Sequence, residues 1–512
     1  MQTKFIGNIT TKRRQQLTTA ALLVVSFAVS RVIFWHIGVR FDSSSLDWFW
    51  QYLDLNVLRH NLMSGIFHMH SQPPGFNLFL GLVLKCFPNS SGLCFHVVYM
   101  LLGFILYCSL YLLLRLSAFS RTWAFVCSFL FIVSPSSILY ENWLFYTYPI
   151  AVLLVVASIA LHRCQERRST FYAGAFLFII AIVCLTRSAF HLVFILACVA
   201  LVVIPREIRN RKVVSCAFAT VCLVGTLYLK NLALFGFFGS SSWMGMNMFN
   251  IAQHSVGTNV VNELVRLGSI PSVASQPPFS AIDKYSKIDS PQLAPPGIDP
   301  LTTKTKASGT PNYNHADYVR IAQEYRQASS YIIRKNPRLY LSSVFDAWCL
   351  YCQPSWHNDF LKRNNQAMSV WLSSLSCLRT QGWIDLRPFK RWAFGAEGEK
   401  DLYPVTSLLF LPSIIVFACA GAAARISRFA RKGDSSGVAF IFMTFTVIYV
   451  AVLGNAFEYG ENNRFRVETD PLIFLLGAII ARDAYSYAMQ RMFRRHANKS
   501  VDAYVSPGAD TG

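Results

Sequence analysis

The chain has 512 residues, 53% of them hydrophobic and 14% charged, with a mean hydropathy of +0.37. A soluble protein carries about a quarter charged residues, so a disordered chain, a collagen-like repeat, a small disulfide scaffold and a soluble multidomain enzyme are excluded. The net charge of +21 sits largely beside apolar runs, which reads as the orientation signal of a polytopic membrane protein and not as a nucleic-acid surface.

In chain order, Lys12, Arg13 and Arg14 precede a first apolar run at 17–38. No small-residue cleavage site follows it, because Arg31, Trp35 and His36 stand in its place, and it is predicted to be an uncleaved span. Further apolar segments fall at 75–87, 95–116, 122–139, 148–162, 171–186, 189–205, 213–229, 404–424, 436–457 and 468–482, giving ten to twelve expected spans in an all-α protein. Basic clusters at Arg163 to Arg168, Arg206 to Lys212, Arg425 to Lys432 and Arg491 to Arg495 mark the cytoplasmic side with the N-terminus. Residues 39–74, 140–148, 230–403 and 458–467 then lie on the opposite side. Eight segments precede the long loop, whereas the clusters on both flanks require an odd number. Either 75–87 enters without crossing or one run holds a different number of spans.

The expected organisation is a transmembrane module at 1–229 with a helical first outer loop (39–74), a large extracytoplasmic loop at 230–403, further spans at 404–496 and a disordered tail at 497–512. Within the large loop, the Pro-, Ser- and Gly-rich stretch 250–312 is predicted to be irregular. Residues 313–348 are predicted to form two helices broken at Asn336-Pro337. The lone Cys349-x-x-Cys352 has no second pair nearby and reads as a disulfide or two unremarkable thiols.

Chemistry-bearing residues gather on the outer side. Asp47 and Asp54 are seven apart in the first loop, so on a helix they share a face, among Trp48, Trp50 and Tyr52. A carboxylate beside aromatic rings at the membrane surface is partly desolvated, which raises it toward the range of a general base; the plainer reading is an interfacial amphipathic helix. His60, His68 and His70 lack the i,i+4 pairing of helical zinc sites, and solvated or hydrogen-bonded histidines are expected. Glu141, Arg187, Lys230, Asn231, Glu461, Asn463, Arg464 and Arg466 stand at the outer ends of spans. An Arg between apolar runs faces a partner or a wet cavity, and outer-face cations match a membrane-surface phosphate. Local pairing, Glu461 with Arg464 or Arg466, is the structural alternative. No nucleotide-binding loop and no nucleophile elbow occurs.

A basic N-terminus, one span, an acid-bearing outer loop, Ser64-Gly65 before HSQPPGFNLFLGLVLK, and a large late outer loop together make a layout that resembles the GT-C superfamily of integral-membrane glycosyltransferases. That superfamily includes the protein O-mannosyltransferases and aminoarabinose transferases, and the loop looks closest to bacterial members. The resemblance implies a GT-C-like bundle in a bacterial plasma membrane, and inverting transfer from a polyprenyl-phosphate-linked sugar to a glycan, lipid or protein acceptor of the cell envelope. It implies a first-loop acid as base, with cations on the departing lipid phosphate and Glu141 and Glu461 orienting them or the sugar. Many relatives carry an adjacent Asp-Glu pair that this chain lacks; Asp54, preceding LNVLRHNLM, is the expected base and Asp47 the second. No cofactor is required, although some members use a divalent metal. The alternatives are an O-antigen ligase or polymerase, resting on His315 and Arg320, and a transporter or lipid flippase, for which Lys85 is the nearest to a mid-membrane charge.

Overall fold

The computed structural model describes residues 2–285, 298–356, 358–379, 382–395, 402–432 and 437–505. All eleven apolar runs form helices. Helix α1 (Gln2–His36) holds the first span and leads into three short helices of the first outer loop, α2 (Ser45–Trp48), α3 (Leu55–His60) and α4 (Leu62–Phe67). Then follow α5 (Gly75–Cys86), α6 (Ser91–Leu116), α7 (Arg121–Ile132), α8 (Pro135–Glu141), α9 (Thr147–Arg167), α10 (Thr170–Thr186), α11 (Leu192–Val203) and α12 (Arg211–Phe235). The large loop contains α13 (Met244–Val256), α14 (Thr258–Arg266), α15 (Asp299–Thr302), α16 (Asp317–Lys335), α17 (Pro337–Cys352), α18 (Lys362–Ala367), α19 (Ser369–Arg379) and α20 (Arg387–Phe394). A small antiparallel hairpin, β1 (Trp383–Asp385) with β2 (Leu402–Pro404), brackets α20. The chain returns through α21 (Val405–Lys432), α22 (Val438–Phe457), α23 (Asn462–Val467) and α24 (Asp470–Val505).

Among the described residues, seven helices (α1, α6, α9, α12, α21, α22 and α24) are long and apolar enough to cross a bilayer, or eight if α7 with α8, bent by 59°, is counted as one span. Pro135 at the first position of α8 sets that bend, since its nitrogen cannot continue the ladder of α7. The protein is an all-α, multi-pass membrane protein.

Contacts between helix ends settle the parity. At the basic end, Arg121 donates to Gln15 (2.5 Å), Arg168 pairs with Glu207 (3.3 Å) and Arg425 with Asp483 (3.6 Å). At the other end, Asp42 pairs with Trp143 as a β-bridge, Phe41 stacks on His96, and Lys230 donates to the Met69 carbonyl (2.5 Å). Helix α5 begins at this second end, where Gly75 abuts the Leu185 carbonyl, and α6 also begins there, with Gly92 beside Ser43. Helix α5 therefore enters without crossing, and Lys85 rides on a helix that does not span. Among the described residues the helices long and apolar enough to span number seven, or eight with the bent pair, fewer than the ten to twelve expected, because α10 and α11 are shorter apolar helices.

The first loop and the large loop are locked together. The neutral imidazole of His70, whose pKa burial lowers to about 3, accepts from Ser242 Oγ (2.9 Å) and donates to the Asn314 carbonyl (3.0 Å). Asn314 Oδ1 accepts from the His70 and Ser71 amides. A turn at 304–311 reaches back, so that Lys306 Nζ donates to the Phe49 carbonyl (2.7 Å). Burial lowers the Lys306 pKa to about 8, against the pull of Asp54.

Three expectations are corrected. Asp47 and Asp54 do not share one helix face: α2 ends at Trp48, and an extended Phe49 leads into a separate α3. The start of 250–312 is helical as far as Arg266, because α13 and α14 are amphipathic; residues 286–297 of that stretch lie outside the described residues. The tail is helical as far as Val505, α24 propagating through good helix formers; its remainder lies outside the described residues. Cys349 and Cys352 are both buried on α17 and are not joined to each other by a disulfide.

Candidate active site

A cavity of about 840 Å³ lies where the two loops cover the non-basic end of the bundle. Its floor is the turn between α10 and α11, residues 187–191. That turn is tied to α22 by Tyr449, which accepts from the His191 amide (3.1 Å) and donates to the Ala189 carbonyl (3.0 Å). Tyr449 lies eight residues before the end of α22, so the floor sits roughly 12 Å below that helix end. The walls come from Tyr228 on α12 and from Val450, Leu453 and Phe457 on α22; the roof is Trp48 to Gln51 with Trp243 and Phe279. Trp50 stacks on Phe279 at 5.4 Å, and Trp243 meets the same ring edge-on at 5.2 Å. Val193 and Phe238 line one flank and are 68% and 60% exposed, so the cavity has an apolar flank on the outside of the bundle.

Two guanidinium groups reach the cavity. Arg187, the residue that ends α10, is buried in an ion pair with Glu468 (Nε to Oε1, 2.9 Å) and donates to Tyr146 Oη (2.9 Å). Its guanidinium also lies over the Tyr146 and Phe465 rings, at 5.2 and 4.8 Å. Arg464, on α23, donates twice to Glu461 Oε2 (2.8 and 2.5 Å) and lies over Phe145 and Phe465. Its Nη1 is enclosed and has no hydrogen-bond partner among the described residues. An enclosed, unpaired donor on a charged group is costly, so this one calls for an acceptor from outside the chain.

Two carboxyls complete the site. Glu458, at the C-terminal cap of α22, lines the cavity and forms no ion pair among the described residues. Burial, helped by repulsion from Glu461, raises it to about 8. Glu468, beneath Arg187, is raised by burial to about 7 against the pull of Arg187 and Arg464. A carboxyl titrating near neutrality in an enclosed site is suited to take up or release a proton.

The residues singled out from the sequence divide sharply. Arg187, Arg464 and Glu461 line the cavity. Asp54 does not: its carboxylate caps α3 by accepting from the Asn56 amide (2.7 Å) and also accepts from the Ala307 amide (2.5 Å). Asp47 is exposed, one residue before the lining begins at Trp48. Glu141 is buried against Arg31 on α1, whose Nε donates to it at 2.9 Å. Lys230 is spent on the Met69 carbonyl, and Asn231 on the Gly239 carbonyl (2.7 Å). Asn463 donates to the Pro354 carbonyl (3.0 Å), and Arg466 pairs with Asp470 (2.8 Å) and the Tyr351 carbonyl (2.6 Å). These residues brace the rim.

Glu458 escaped sequence reading because an acid at a helix end is unremarkable until its surroundings are known. Among the described residues no group of three His, Cys, Asp or Glu gathers as a metal site. His315 and Arg320 pair locally, with Asp317 (3.6 Å) and Glu324 (3.2 Å), and neither lines the cavity. Compared with known proteins, the chain matches no family model, no curated protein and no solved structure.

Proposed function

We propose that the protein is an inverting glycosyltransferase of GT-C type, moving a sugar from a polyprenyl-phosphate donor to an extracytoplasmic acceptor of the cell envelope. One observation carries the reading: a single cavity with an exposed apolar flank holds Arg187, Arg464 with its unpaired Nη1, and the carboxyl of Glu458, which forms no ion pair among the described residues. A lipid-linked donor keeps its tail in the bilayer and brings its phosphate to that flank, where two guanidinium groups stabilise the charge that develops as it leaves. The aromatic roof offers flat faces for the sugar ring.

Glu458 is the base in this scheme. Its carboxylate takes the acceptor hydroxyl proton as that oxygen attacks the anomeric carbon from the face opposite the phosphate. The bond from the anomeric carbon to the phosphate oxygen breaks with its electron pair going to the phosphate, which departs as polyprenyl phosphate. Arg187 and Arg464 receive that charge, while Glu461 and Glu468 hold the two guanidinium groups in place. This assigns to Glu458 the task the family resemblance gave to a first-loop aspartate, since Asp54 is committed to the α3 cap. A transporter would use a broken helix at depth, but the α7–α8 bend holds the Arg31–Glu141 pair and lies outside the cavity lining.

The test is release of free polyprenyl phosphate from a panel of radiolabelled polyprenyl-phosphate sugars, with protein in lipid nanodiscs and an envelope extract as acceptor. Arg464→Gln and Glu458→Gln are each expected to slow release by about a hundredfold or more, whereas Asp47→Asn and Asp54→Asn retain most of it. Undiminished release from Arg464→Gln refutes the cavity as the site, and loss confined to Asp47→Asn returns the base to the first loop.

A further inference from the structure

A second cavity, of about 780 Å³, lies against α16 on a face that does not touch the first. Gln323, Arg326, Gln327, Tyr331, Arg334 and Lys335 line it, recurring at intervals of three and four and so forming one stripe along the helix. The opposite stripe, Tyr318, Ile321, Ala322 and Tyr325, is buried with α13 residues such as Met246 and Phe249. The two helices approach closely because Gly245 of α13 has no Cβ; one placed there would overlap the Ala322 carbonyl. Helix α13 in turn presents Met244, Asn247 and Asn250 to the first cavity. The groove and the candidate active site therefore flank one helix pair.

The groove has a single sign of charge. No carboxylate lines it, and the sequence contains no acidic residue between Glu324 and Asp346. Arg326, Arg334 and Lys335 form no ion pair among the described residues. Cations in the last turn of α16 complement its dipole, which accounts for Arg334 and Lys335. Arg326, mid-helix, has no such reason to be there. Between the charges stand two amides and a phenol, groups that pair with hydroxyls.

We propose that this groove docks an acidic glycan, a polymer bearing carboxylates or phosphates among its hydroxyls, and that it serves as the acceptor-binding surface. The acceptor role rests on the transferase reading; the binding does not. A lipid headgroup fits less well, because Pro271 and Tyr331 are the sole apolar material among the lining residues and lipid tails would have no seat.

The test is fluorescence anisotropy of a labelled oligogalacturonide on the full-length protein in phosphatidylcholine nanodiscs, at low and at physiological salt. The wild type is expected to bind with an affinity that falls as salt rises, and a neutral malto-oligosaccharide of equal length is expected not to bind. The triple replacement Arg326→Gln, Arg334→Gln, Lys335→Gln should weaken binding by about tenfold or more. The double replacement Arg326→Lys, Arg334→Lys, with Lys335 kept, should retain most of the wild-type binding, and Lys362→Gln, elsewhere on the loop, should change nothing. Equal binding by the Gln triple variant, or by the neutral oligomer, overturns the proposal. Loss of oligomer binding in phosphatidylglycerol nanodiscs, or competition by inorganic phosphate alone, reassigns the groove to a headgroup or a free anion. Because no turnover is read, a protein without transferase activity would still register here.

Discussion

Replacing Glu458 by Gln tests the central carboxyl without altering its shape. In the folded protein burial and Glu461 raise this group from 4.5 to about 8. Unfolded, it returns to its ordinary value, so between about pH 4.5 and pH 8 the folded state holds a proton that the unfolded state has lost. The unfolded state then binds fewer protons, and stability falls as pH rises through that window. At about 1.4 kcal/mol for each pH unit the whole interval amounts to at most about 5 kcal/mol, and water in the cavity reduces this to about 2–4 kcal/mol. The loss is complete above pH 8 and absent below pH 4.5. Gln never ionises, so Glu458→Gln should match the wild type near pH 5 and be the more stable by those few kcal/mol near pH 9. Thermal unfolding followed by tryptophan fluorescence in nanodiscs, as a pH series on both proteins, measures the divergence. Glu468, raised to about 7, titrates in both and cancels from the difference. Parallel curves across the series would refute the placement of Glu458 in an enclosed site.

Other outcomes follow from particular contacts. Glu141→Leu strands the buried Arg31 and should cost about 3–5 kcal/mol, while Arg31→Met added to it should recover most of that loss; equal melting of the single and double variants would refute the pairing. Asp54→Ala removes the α3 cap at a cost of about 1 kcal/mol, whereas Asp54→Asn keeps the cap and should keep polyprenyl phosphate release; loss of release with a native melt would show that Asp54 acts in the chemistry. Gly245→Val forces α13 away from α16 and should cost about 1–3 kcal/mol or more, seen as faster limited proteolysis of the large loop. Gly236→Ala, at a φ of +72° with open space around it, should cost only about 1 kcal/mol of backbone strain.

The helices were legible because hydropathy is a local property: each apolar run became a helix, and Asn336-Pro337 broke α16 from α17 where expected. The two cavity arginines were legible for a related reason, a guanidinium among apolar residues being too costly to lack a role. Glu461 followed from its neighbour Arg464, one turn away on the same strip of chain. What stayed hidden depends on distant parts of the chain meeting. Asp54 was read as the base just before a helix; its bond to the Asn56 amide is local, yet nothing local reveals that Ala307, from the large loop, takes its other oxygen. Glu141 and Arg31 are 110 residues apart, and their pairing removes both from chemistry. Glu458 becomes notable only when α23 and the loops close over it.

Helix α11 has 12 residues, about 18 Å of helix against a hydrocarbon layer near 30 Å thick. Its outward side chains Val193 and Leu196, and Ile204 just past its end, are exposed, so a bilayer meeting this flank would have to thin. The mismatch falls beside the cavity wall formed by Val193 and Phe238. Headgroups are drawn inward at that point, and with them the phosphate of any lipid diffusing past. On the proposed transferase reading, turnover should therefore depend on the acyl-chain length of the surrounding bilayer, rising in thinner membranes, with the thickness of the host membrane governing how readily a lipid-linked donor enters.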